Sequence, residues 1–296
     1  MVRQSLVVLL ILLFATLQNQ AHCENSECVQ VILEEDLSVD AQGSDLDAGD
    51  GVILRISPGA RERPLTGPAH SWMRVAVLDR GNVVKNLPGS FYTGYTSFSS
   101  EHGRFWMIAE YTGGMHCCTC YHFLVRATVE QPLRYAGSTL GSSSALEEEP
   151  FYCRDGAIYL KDFDMRFLYF HIPYAESRLE IPIYYRLTPS GLHINNRPFR
   201  NEYLSEAASL DGEIKALLTR RNVKPLSIVR EGKHESFFSD EIGQLLVKQA
   251  ILHLYARDDR KAWETLDQGV RQYYKSTKGL VRIKSEIRKI MKASPY

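Results

Sequence analysis

Trp72-Met73-Arg74-Val75-Ala76-Val77-Leu78-Asp79-Arg80-Gly81-Asn82-Val83-Val84 (residues 72–84) sets Met73, Val75 and Val77 on one face, with Arg74 and Ala76 between them. Apolar residues at every second position follow the period of a half-buried strand. Gly81-Asn82 fits a hairpin turn that returns the chain into Val83-Val84. Working outward, strand-like runs occur before it at 28–33 and 52–57, and after it at 105–111 and 118–127. A dense set follows at 157–162, 167–172, 181–187 and 192–195, the last two joined by Pro189-Ser190-Gly191. Short strands at close intervals predict an antiparallel sheet, sandwich or degenerate propeller-like array rather than a parallel α/β core. The 16 tyrosines, with Phe and Val, favour the same pleated architecture.

The pattern changes near residue 201. Residues 204–218 read as a helix. A clearer one begins at Asp240, with Ser239 as its cap and Ile242, Leu245, Leu246, Ala250 and Leu254 near one face. Trp263, Leu266 and Val270 mark a third, and Leu280, Ile283, Ile287, Ile290 and Met291 form the stripe of a fourth. Such stripes need burial, so the helices are expected to pack together and on the β region. A packing appendage fits better than a tetratricopeptide-type solenoid, which needs several stacked units. The expected class is mainly β with a C-terminal α-helical segment, α+β overall. The expected division is a signal peptide (1–23), a β-rich domain holding a Cys/His cluster (24–200) and a helical segment (201–296).

Arg3 followed by the apolar run 6–17, then polar Gln18-Asn19-Gln20 and the small residues Ala21 and Cys23, reads as a cleaved secretory signal. The run is short for an uncleaved anchor, which wants roughly 20 apolar residues. His22 and Gln20 stand where a lipoprotein signal at Cys23 would want a small residue and a leucine. The expected location is periplasmic or secreted, with no integral membrane segment once the signal is removed. Formal charge balances at 35 basic against 35 acidic residues, which gives no electrostatic basis for binding nucleic acid. Partners are otherwise unspecified, a protein or another envelope component being the open class.

Chemistry concentrates in Gly113-Gly114-Met115-His116-Cys117-Cys118-Thr119-Cys120-Tyr121-His122, which holds three of six cysteines and two of nine histidines. If this stretch is extended, His116, Cys118, Cys120 and His122 share one face. A regular strand would spread His116 and His122 roughly 20 Å apart, too far for one tetrahedral ion whose ligands lie at about 2.0–2.3 Å. A metal site at His116, Cys117, Cys118 and Cys120, holding zinc or copper, therefore needs the turn or another element to help. Disulfides compete: after export, Cys28, Cys117, Cys118, Cys120 and Cys153 remain, and an odd number cannot all pair. Bridges from the cluster to Cys153 and to Cys28 fit this arithmetic, and a vicinal Cys117–Cys118 bond is a further option. A cysteine nucleophile beside a histidine, with glycine amides as oxyanion donors, is a third reading. Gly113 and Gly114 also have a plain role as turn or bulge residues. No catalytic residue is assigned, no cofactor beyond the zinc or copper alternative is expected, and enzymatic activity is the less favoured class.

The stretch Glu110-Tyr111-Thr112-Gly113-Gly114-Met115-His116-Cys117-Cys118 resembles the Y-S/T-G-G-A-H-C-C signature of a group of uncharacterised bacterial secreted proteins. The terminal Ala293-Ser294-Pro295-Tyr296 after an amphipathic helix is similar to that group too. In many of its members the signature follows a D-x-D-G-x-x-E stretch similar to integrin-type propeller repeats. Here Glu101-His102-Gly103-Arg104-Phe105 lacks those carboxylates, so the resemblance does not carry over a calcium site. It implies no activity either.

Weaker constellations have plain readings. Asp45, Asp47 and Asp50 ahead of Gly51 approach a calcium loop, but position 5 is Gly49 and position 12 is Ile56, which predicts a solvated loop. Asp162, Asp164 and Arg166 read as the solvated turn of a hairpin. Arg220-Arg221 and the basic face of the last helix read as helix surface. No phosphate loop, dinucleotide fingerprint, H-E-x-x-H or G-x-S-x-G is present. The favoured function is an exported binding or structural protein stabilised by disulfides around residues 116–120. A thiol- or metal-binding protein is second and a cysteine hydrolase third.

Overall fold

The structure, a computed structural model, describes residues 43–59, 73–100, 102–111, 119–139, 151–168, 170, 177–220, 240–274, 277 and 279–293. The readings made at 1–23, at 28–33, and for Cys28, Gly113, Gly114, His116, Cys117 and Cys118 lie outside the described residues.

Strands β1 (Asp45–Asp47), β2 (Val52–Pro58), β3 (Met73–Asp79), β4 (Asn82–Ser100), β5 (Gly103–Tyr111), β6 (Thr119–Arg126) and β7 (Arg134–Ser138) form one sheet in sequence order. Every neighbouring pair is antiparallel. A second sheet orders β11 (Gly191–Ile194), β10 (Pro182–Thr188), β9 (Ala157–Phe163) and β8 (Phe151–Arg154), also antiparallel. A short helix α1 (Met165–Leu168) follows β9, and α2 (Arg200–Arg220), α3 (Glu241–Tyr255), α4 (Asp259–Tyr273) and α5 (Leu280–Lys292) complete the chain. The mainly β, α+β class is therefore as the alternation predicted.

Several local expectations are corrected. The β3–β4 turn is Arg80-Gly81, both at positive φ (49° and 85°), closed by the Asp79–Asn82 pair. That twist matches the twist of the flanking strands. Asp155-Gly156 makes the same kind of turn between β8 and β9, a hairpin the strand reading overlooked. Residues 165–168 are helical rather than part of a strand. Helix α3 is capped by Asp240, whose carboxylate accepts from Gly243 N at 2.9 Å, rather than by Ser239. Part of the acidic stretch expected to be loop is strand β1, where Asp45 pairs with Arg55 at 2.7 Å.

The 19-residue strand β4 pairs with β3 through its first half and with β5 through its second. One core gathers Val52, Leu54 and Ile56 of β2 and Met73, Val75 and Val77 of β3 with Trp106 and Ile108 of β5 and Leu124 of β6. The meander thus folds back over itself. A register shift between Tyr92 and Gly94 turns both Tyr92 and Tyr95 into that core, although they stand three residues apart. The opposite face of β5 and β6, with Phe105, Met107, Ala109, Tyr121, Phe123 and Val125, belongs to a second core. That core runs through β9 and β10 into all four long helices.

The helices are tied in by aromatic and polar contacts. Tyr184 of β10 stacks on Phe199 with centroids 3.5 Å apart, and Tyr203 of α2 donates to Pro182 O at 2.8 Å. Buried Gln249 of α3 donates to Ala207 O at 2.8 Å and to Asp211 at 2.9 Å, both on α2.

Candidate metal centre

Alternation sends Trp106, Ile108 and Glu110 of β5 to one side, and Cys120, His122 and Leu124 of β6 to the same side. The register places Tyr92, Glu110 and Cys120 in one row across three strands, because Tyr92 opposes Glu110 and Glu110 opposes Cys120. His122 stands two residues beyond Cys120 on that face. Its neighbour Tyr135 arrives from β7, where a register shift between Phe123 and Leu124 sets Tyr135 opposite Leu124. The apolar core thus ends in a polar row: Tyr92, Glu110, Cys120, His122 and Tyr135.

The donor atoms of Glu110, Cys120 and His122, one per residue, all lie within 4.8 Å of one another. Glu110 and His122 are buried and Cys120 is half-buried. Glu110 Oε2 is 2.5 Å from His122 Nε2, and the Tyr135 hydroxyl is 3.0 Å from His122 Nδ1. A hydroxyl can donate or accept, so Tyr135 can hold the ring in either tautomer. The Cys120 thiol donates to Thr139 O at 3.3 Å, and Thr139 in turn accepts from Tyr121 N at 3.0 Å. Tyr92 lies 6.5 Å from the imidazole, ring to ring.

The charges follow from this packing. Burial opposes ionisation of Glu110, but hydrogen bonds from His122 and Ser90 outweigh it and hold the carboxyl below its usual range. Burial pushes the Cys120 thiol up to about 11. The Glu110 and Asp162 carboxylates push the same way, against hydrogen bonds with Ser138 and Thr139. Burial likewise raises the Tyr92 and Tyr135 hydroxyls, with Glu110 adding to it. An activated nucleophile needs the opposite shift. Both nitrogens of His122 are engaged by Glu110 and Tyr135 rather than by sulfur. The arrangement suits ligand capture better than attack by Cys120.

Of the sequence candidates, Cys120 lies in this cluster, while Cys153 lies on β8, packed against the second core. The members of the row that sequence reading missed are Tyr92, Glu110 and Tyr135. A hairpin between 105–111 and 118–127 follows from the strand pattern, but only the observed register sets Glu110 opposite Cys120. Asp162 and Asp164, expected on a solvated turn, are 1% and 0% exposed. Among the described residues, no helix is long and apolar enough to cross a membrane. Comparison with protein-family models, curated proteins and solved structures finds no match for this chain.

Proposed function

We propose that this chain is an exported, non-catalytic binding protein that captures a zinc or copper ion at Glu110, Cys120 and His122. The observation that carries this reading is the convergence of a carboxylate, a thiol and an imidazole within 4.8 Å on a buried sheet face. Ligands about 2.0–2.3 Å from a tetrahedral ion stand roughly 3.3–3.8 Å from one another. To reach that range the 2.5 Å Glu110–His122 contact must lengthen and any pair near 4.8 Å must close by about 1 Å, which leaves a fourth position for water or another ligand. Tyr135 then supplies the outer hydrogen bond that orients the imidazole. Thiolate and imidazole are the donors that zinc and copper favour. Export rests on the leader-like residues 1–23 and on the resemblance to secreted proteins.

Binding must displace the Cys120 proton and open the Glu110–His122 hydrogen bond, so affinity falls as pH falls. The test is metal content of protein purified without chelator and reloaded with one equivalent of zinc or copper. One ion per chain is expected, lost in Cys120→Ser and His122→Ala variants whose circular dichroism is unchanged. Tyr135→Phe should weaken affinity by about 10- to 100-fold. A folded protein that takes up neither metal, or a Cys120→Ser variant that binds as tightly as the parent, overturns the reading.

A disulfide staple is compatible with this centre and has its own support. Cys120 is a free thiol, which leaves Cys153 as the described cysteine that a bridge would use. Its partner would be a cysteine outside the described residues, Cys28, Cys117 and Cys118 being the candidates. A mass shift on alkylation that shows Cys153 reactive without reductant would rule the staple out.

A further inference from the structure

A cleft of about 650 Å³ lies where the end of β11 meets the helices α3, α4 and α5. Its size falls within the range of small-molecule sites, roughly 300–1,000 Å³. Half-buried Trp263, Met291 and Ile194 give it an apolar lining. Arg197, Arg257, Arg288 and Lys292 also line it, against a single carboxylate, Asp259. The chain as a whole carries equal numbers of basic and acidic residues. Four cations to one anion is therefore a local excess, not a reflection of overall charge.

The cations come from separate elements. Arg197 follows β11, Arg257 sits in the turn between α3 and α4 at φ 59°, and Arg288 and Lys292 lie one turn apart on α5. Among the described residues, Arg197, Arg257 and Lys292 have no carboxylate partner. Elsewhere the helices pair their charges, as Lys284 does with Asp267 at 2.5 Å and Arg282 with Glu286 at 2.8 Å. Arg288 is held 4.6 Å from the centre of the Trp263 ring. An arginine on an indole keeps its edge N–H groups for an anion while the ring limits its motion. Like charges gathered around an apolar recess repel one another and cost stability. A bound anion removes that cost.

We infer that this cleft is a binding site for a small, multiply anionic ligand with a planar aromatic or apolar body. The anionic groups meet the arginines and Lys292, and the body covers Trp263 and Met291. The site shares no residue with the Glu110–Cys120–His122 centre and stands or falls separately from it.

The probe for the test is 8-hydroxypyrene-1,3,6-trisulfonate, followed by fluorescence anisotropy with the full-length protein. Citrate serves as a polyanion without an aromatic body. Micromolar, saturable binding of the trisulfonate that weakens with salt is expected, with citrate competing poorly. Arg257→Glu and Arg288→Gln should each weaken binding by tenfold or more. Lys289→Glu, an exposed change on the same helix outside the cleft, should shift it less than threefold. Trp263→Leu should weaken the trisulfonate far more than it weakens citrate. No saturable binding, or equal losses in Arg257→Glu and Lys289→Glu, overturns the inference. Equal affinity for citrate and the trisulfonate removes the aromatic body from it.

Discussion

Cys120 shows how much of a side chain's chemistry comes from its neighbours. A thiol in water titrates near 8.5; burial and two carboxylates push this one up to about 11. Its folded pKa exceeds its unfolded one, so the stability it contributes is intact below about 8.5 and is lost as pH rises through about 11. Thermal melts should therefore fall between pH 9 and 11, and Cys120→Ala should flatten the part below pH 10, where the tyrosines still hold their protons. In Glu110→Gln, removing the negative charge should lower the thiol pKa, so Cys120 alkylates faster at pH 9 than in the parent. An unchanged alkylation profile would mean that Glu110 does not set the charge state of Cys120. Arg126 makes a related point. It is 3% exposed, yet it reaches Asp79 at 2.5 Å and Asp50 O at 2.7 Å, beside Trp106. A buried charge is tolerable only with such partners.

At the scale of elements, turns and bulges decide which residues meet. Two turns with paired positive φ angles set the registers of β3–β4 and β8–β9. Shifts in β4 and between β6 and β7 then rotate Tyr95 and Tyr135 into place. Gly103, which opens β5, shows how tightly this is fixed. Its φ is 124°, and a Cβ there would lie 2.4 Å from Arg126 O and 2.7 Å from Ala127 Cα. Neither neighbour is a flexible side-chain end, so β5 and β6 would have to separate. Gly103→Ala should destabilise the protein by roughly 3 kcal/mol, combining backbone strain with lost pairing. Urea unfolding would measure it. A loss under about 0.5 kcal/mol would show that the strand pair can absorb the clash.

Across the whole molecule, one buried polar node joins the sheets to the helices. Asp164, 0% exposed, follows β9 and binds Arg166 and the Tyr255 hydroxyl of α3. Arg166 also donates to Ile290 O on α5 at 3.2 Å. Removing the carboxylate leaves a partly buried guanidinium and a buried hydroxyl short of a partner. Asp164→Ala should cost about 3–5 kcal/mol, against about 2 kcal/mol for Tyr255→Phe, which removes the hydroxyl's hydrogen bonds with Asp164 and Arg166. If Asp164→Ala unfolds at the same urea concentration as the parent, the node does not hold the two layers together.

Period, turn chemistry and composition were legible in the sequence. They established the β-rich body, most strand positions, the four long helices and the face shared by Cys120 and His122. Each is local, depending on residues a few positions apart and on how a strand or helix repeats. What the sequence could not supply is which distant side chain comes to lie opposite. Glu110 reached Cys120 through the β5–β6 register, and Tyr135 reached His122 through a bulge in β7. Asp164 looked like a solvated turn residue because its partner Tyr255 lies 91 positions later. The cationic cleft likewise gathers residues from separate elements that no periodicity links. Such meetings depend on register and packing between elements, which only the folded chain specifies.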